Sequence, residues 1–173
     1  MRRLRVIVTL GALLCVLGGV VTASPALARG DGWQFGPATP FTLSASFCGF
    51  EVLVTPGVNK EYTKILKTAD GSMTFLFAGA FGASFTNLQT GKTITENMSG
   101  PGQATINSDG SITEVHTGRN GPFILMPADA QRFGLPAVSV TAGALSFSVA
   151  ADGTITSLSL DGHVLVDVCA ALS

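Results

Sequence analysis

Glu114 and His116 stand two residues apart on an expected strand, 111–117, and so share one face of it. A carboxylate beside an imidazole is the smallest pair able to move a proton at neutral pH. The rival reading is an exposed polar face, because the sequence marks no nucleophile or oxyanion donor beside the pair. His163 follows Asp161-Gly162 and has Asp167 four residues on; a histidine after a turn is ordinarily just solvated. These two are the only histidines, and neither has a third clustered ligand, so no zinc site is expected. No Asp-x-Asp loop suggests calcium. No metal or cofactor is expected.

Other strings imitate known chemistry and fail on their surroundings. Gly82-Ala83-Ser84-Phe85-Thr86 lacks the closing glycine of a nucleophile elbow. Gly91-Lys92-Thr93 imitates the end of a phosphate loop, but Thr86 stands where the first glycine belongs, and a hairpin offers no helix N-terminus to hold phosphate. Arg29-Gly30-Asp31 matches an adhesion tripeptide, which is too short to carry weight. Asn97-Met98-Ser99 fits a glycosylation sequon and matters only in a host that glycosylates secreted proteins this way.

The most informative pattern is apolar. Phe75, Phe77, Phe81 and Phe85 occupy alternate positions between Met73 and Thr86, so an unbroken strand puts all four rings on one face. Gly79 and Gly82 permit a bend, leaving open one long curved strand or two strands meeting at a corner. The row reads either as packed core or as the lining of a site for a small apolar ligand.

Around these residues the chain reads as strands and turns. Of 173 residues 46% are apolar and only 12% charged, against about 25% charged in ordinary soluble domains, which excludes disorder and coiled coil. Ten basic against eleven acidic residues leave no excess to neutralise phosphates, so nucleic acid is not an expected partner. Arg2, Arg3 and Arg5, the apolar stretch 6–21 and Ala26-Leu27-Ala28 form a signal peptide cleaved after Ala28. A retained anchor is the rival, but Gly18-Gly19 and Pro25 interrupt the stretch and no basic stop-transfer cluster follows. Cys15 is then discarded with the peptide, and residues 29–173 keep seven basic and eleven acidic residues. That balance disfavours a polybasic membrane-surface mode. In an oxidising exterior the remaining cysteines, Cys48 and Cys169, most simply form one disulfide.

Residues 29–40 read as a flexible leader in which Trp33 or Phe35 can dock, and the domain as 41–173. Asp-Gly pairs at 70–71, 109–110, 152–153 and 161–162, with Thr90-Gly91, mark turns between β-branched and aromatic runs. The expected strands are 42–48, 50–55, 61–67, 73–79, 81–87, 92–98, 103–107, 111–117, 138–142, 144–150, 154–160 and 163–169. Only Pro127 to Phe133 offers a helix, with Gly134 as its stop. The expected fold is all-β, a single antiparallel β-barrel or closed sandwich.

Phe47-Cys48-Gly49-Phe50, Thr86-Asn87-Leu88-Gln89-Thr90-Gly91-Lys92, Asn97-Met98-Ser99-Gly100-Pro101 and Asp167-Val168-Cys169 together resemble uncharacterised secreted proteins of actinobacteria. The resemblance implies a secreted β-domain with a first-to-last-strand cystine and transfers no activity. A lipocalin pattern fails, since Gly32 and Trp33 are adjacent where that family spaces them by one. The functional expectation is a secreted, non-enzymatic domain binding a small apolar ligand or an envelope or extracellular partner. The alternatives are a structural envelope protein and an enzyme using Glu114 and His116.

Overall fold

The computed structural model describes residues 32–173. The expected signal peptide and Arg29-Gly30-Asp31 lie outside the described residues. Two long antiparallel hairpins dominate the fold. In chain order the elements are β1 (Trp33–Phe35), β2 (Phe41–Leu43), α1 (Ala45–Cys48), β3 (Val52–Lys67), β4 (Met73–Asn87), β5 (Thr93–Asn97), β6 (Gly102–Ile106), β7 (Ile112–His116), β8 (Arg119–Ile124), α2 (Pro127–Phe133), β9 (Val138–Val149), β10 (Ile155–Asp167) and α3 (Val168–Leu172).

All strand pairs are antiparallel and belong to one sheet, whose main path runs β1-β3-β4-β6-β7-β9-β10. The β3–β4 hairpin pairs with β6 along Met73–Phe77 and with β5 along Gly82–Thr86. The β9–β10 hairpin pairs with β7 along Leu145–Val149 and with β8 near Val138–Ala142. Thus β6 and β7 join the hairpins at one end, while at the other end their faces meet across a core.

The all-β antiparallel expectation is met, but not the barrel, because the sheet does not close: β1 and β10 end the path and do not pair with each other. Burial comes instead from facing layers. Val52, Val54, Ala83 and Phe85 of the first hairpin share a cluster with Ile124, Val138 and Val140 of β8 and β9, capped by Val168 and Leu172 of α3. A second cluster of Phe123, Leu125, Ala130, Leu145, Phe147, Val149 and Ile155 lies under α2.

Several expected strands merge. Residues 50–55 and 61–67 fall in a single β3 that passes Pro56 through a register shift, with Gly57 and Val58 opposite Gly82 alone. The Phe row lies on one uninterrupted strand, β4. Asp161-Gly162 is no turn: it sits inside β10, with Gly162 paired to Gly143 of β9. The signal misread there is close backbone approach, since a Cβ on Gly162 would fall 1.9 Å from the Ala142 carbonyl oxygen. The same reasoning applies to Gly79, at φ 143°, where a Cβ would lie 2.1 Å from the Lys60 carbonyl oxygen. Gly79→Ala should therefore destabilise the protein by about 1–3 kcal/mol, read as a lower denaturation midpoint; an unchanged midpoint would remove this account of the close approach.

The other Asp-Gly pairs and Gly91 do form the hairpin turns, and their glycines take positive φ. Residues 45–48 are a helical turn rather than the end of a strand, closed by Gly49 in the left-handed conformation, whose N–H donates to the Ala45 carbonyl. The expected strand 163–169 stops at Asp167, whose carboxylate accepts from the Ala170 N–H and starts α3. Pro127–Phe133 is helical as expected. β8 was missed because Pro122 argues against a central strand, and β8 is indeed an edge, paired only to β9, with a register shift at Asn120–Phe123. Trp33–Phe35 is a short strand on β3, and Phe35 meets Tyr62 edge to face at 6.1 Å.

Candidate functional site

β7 lies in the middle of the sheet, between β6 and β9. Its alternation turns Ile112, Glu114 and His116 inward and leaves Thr113 and Val115 exposed. Glu114 therefore occupies a core position, paired across the ladder with Ala104 and Phe147, and its side chain is 1% exposed. Its Oε2 lies 3.0 Å from His116 Nε2. The imidazole is held on two further sides. Its ring lies nearly parallel to Phe77 (13°, centroids 6.3 Å apart), and Nδ1 sits where a Cβ on residue 102 would be, 2.2 Å away, so Gly102 is what lets the ring lie flat against β6.

The pair opens into a cavity of about 90 Å³ between the two hairpins. Its apolar walls are Phe77 and Phe81 of β4, Met98, Pro122 and Phe123 of β8, and Leu145 and Phe147 of β9; its polar groups are Glu61, Glu114, His116 and Asn120. Asn120 is 95% buried, and its Nδ2 donates to the Gly118 and Gly143 carbonyls at 3.3 Å each. Its Oδ1 has no partner. Ser139 and Thr141 of β9 likewise bury hydroxyl oxygens without partners, but neither lines the cavity.

Burial pushes the Glu114 carboxyl above its ordinary value, with the hydrogen bond to His116 acting in the opposite direction; Glu61 is raised for the same reason, again opposed by His116. A carboxyl whose pKa is higher folded than unfolded binds its proton more tightly in the native state. Its stabilising contribution is fully present below the ordinary value of 4.5 and is lost as pH rises through the folded value. Glu114→Gln should consequently flatten the fall in unfolding free energy that begins near pH 4.5 and ends above the folded value. Asp70, lowered by hydrogen bonds from Thr68 and Ser72, and Asp109, lowered by those from Ser111, tilt the profile the other way. They do so equally in both proteins, so the difference between the two urea-denaturation profiles reports Glu114 together with its partner His116; superimposable profiles would contradict it.

Of the sequence candidates, the structure brings Glu114 and His116 together and sets Phe77 and Phe81 beside them. Phe85 is fully buried in the first core cluster instead, and Phe75 is half-buried on β4 outside the cavity lining. His163 is exposed on β10, and Asp167 caps α3. Lys92 donates to the Ser173 carbonyl at 2.7 Å. Ser84 shares a hydrogen bond with Thr95 on the exposed side of β4 and β5. In the sequon, Asn97 Oδ1 accepts from the Ser99 N–H, and the Ser99 hydroxyl binds the Phe81 backbone. Among the described residues no cluster of His, Cys, Asp or Glu could hold a metal ion.

Sequence reasoning assigned no chemistry to Glu61 or Asn120. Glu61 is the only acid in β3, a visible signal; Asn120 carries none, because its position depends on a strand that Pro122 concealed. Cys48 and Cys169 are joined in a disulfide. No described helix is long and apolar enough to cross a membrane. No family model, no curated protein and no solved structure matches the chain.

Proposed function

We propose that the chain is a secreted binding domain whose small-molecule ligand occupies the cavity between β4, β7, β8 and β9. The observation that carries this reading is the combination of an aromatic-walled cavity with a buried acceptor, Asn120 Oδ1, that no protein group satisfies. Binding sites are mostly apolar with a few placed polar groups, and a buried oxygen left without a donor is a cost that a bound molecule relieves. The two facing hairpins supply a sandwich-like frame. The disulfide supports the extracellular part of the reading, as does the resemblance to secreted actinobacterial proteins. A structural envelope role is less well supported, because such a role asks for no cavity.

A second reading, an enzyme using Glu114 and His116, draws on their 3.0 Å contact and on Glu61 and Asn120 in the same cavity. The lining contains no serine, threonine, cysteine or lysine, so a nucleophile would have to be water or a substrate group. Binding therefore needs fewer additional parts. Native mass spectrometry of protein taken from culture medium tests the reading: a bound mass that disappears on denaturation is expected, and Phe77→Ala should lower its occupancy. A spectrum of bare chain alone from every preparation would contradict it.

A further inference from the structure

We infer that the ligand is a small organic cation, a protonated amine on a compact apolar or aromatic body, with its ammonium group between Glu61, Glu114 and Asn120 Oδ1. This rests on the cavity being a binding site and names the chemistry that it selects. The polar lining is rich in acceptors: two carboxylates and an unpartnered amide oxygen, with His116 beside them. It contains no lysine or arginine. Glu114 is buried and Glu61 half-buried, and His116 is the one basic side chain in the lining, an arrangement that a ligand cation completes with charge-assisted hydrogen bonds.

The walls agree with the floor. Phe77, Phe81, Phe123 and Phe147 line the cavity, and aromatic side chains attract a desolvated cation as well as the apolar body that carries it. An anionic ligand would meet the same rings and carboxylates with repulsion, and a neutral hydrocarbon would leave Asn120 Oδ1 still unpaired. The raised pKa of the Glu61 and Glu114 carboxyls has the same origin: burial, which His116 only partly offsets.

The test compares three probes of one shape on the intact protein by calorimetric titration: benzylamine, toluene and benzoate. Benzylamine should bind at least about tenfold more tightly than toluene, the effect of one charge-assisted hydrogen bond, and benzoate should bind more weakly than either. Glu61→Gln and Glu114→Gln should each lower the ratio of benzylamine to toluene affinity toward one. If either variant fails to fold, the ranking of the three probes on the unaltered protein still decides. Toluene binding as tightly as benzylamine, or benzoate outranking it, overturns the cation assignment while leaving the cavity a binding site. No binding of any probe overturns both.

Discussion

Breaking the Cys48–Cys169 bond should remove about 4–5 kcal/mol of stability, the loop-closure value for a cross-link spanning roughly a hundred residues. The two cysteines are 121 positions apart in sequence and join the end of α1 to α3. The native contacts at stake are as long-range as the cross-link. Val168 and Leu172 of α3 are fully buried against the first core cluster, and Asn87 Nδ2 donates to the Leu172 carbonyl at 3.1 Å. Without the bond, α3 is a helix of five residues held by that packing and a few hydrogen bonds, and the unfolded chain regains the freedom of the whole loop. For a protein whose total stability is of the usual order, about 5–15 kcal/mol, this is a large fraction. Cys48→Ser combined with Cys169→Ser should shift the denaturant midpoint accordingly, and an identical midpoint would show that the bond stabilises nothing.

Phe85→Ala is the second large effect, expected at about 3–5 kcal/mol, because truncating a buried ring loses its transfer free energy and leaves a cavity. Phe85 has no solvent exposure and sits between Val54, its partner across β3, and the β9 face of the core. Phe77→Ala supplies the contrast. Phe77 is on the same face of the same strand, but it borders space that already exists, so its loss creates less new void and should destabilise less than Phe85→Ala. The two variants separate core from lining within one row of phenylalanines. Equal loss at both positions in paired urea titrations would mean that Phe77 is packed as core.

The Phe row shows how far sequence reasoning reached. Alternation placed all four rings on one face, because period two is a local property of any strand. Which rings fill core and which border space depends on what stands opposite, and that is set by the meeting of two hairpins joined through β6 and β7. Glu114 and His116 were legible as a pair for the same local reason. That they face inward was not, since Val115 argues for the opposite phase of β7 and only the pairing with β6 and β9 decides it. Gly162 illustrates another limit: glycine after aspartate signals a turn, yet here it marks two backbones crossing too closely for a side chain. Closure into a barrel depends on whether the end strands meet, a global property that strand count and turn spacing do not determine.

The proposed ligand enters the space between Phe77 and Glu114. Met98 reports on it directly: its side chain is nearly buried and lines the cavity, whereas Met73 and Met126 do not line it. Methyl NMR titrations of the intact protein with benzylamine, toluene and benzoate should, for at least benzylamine, move the Met98 resonance saturably and leave those of Met73 and Met126 in place. Titrations in which every probe moves Met73 or Met126 with Met98 unchanged, or moves none of them, would contradict this placement.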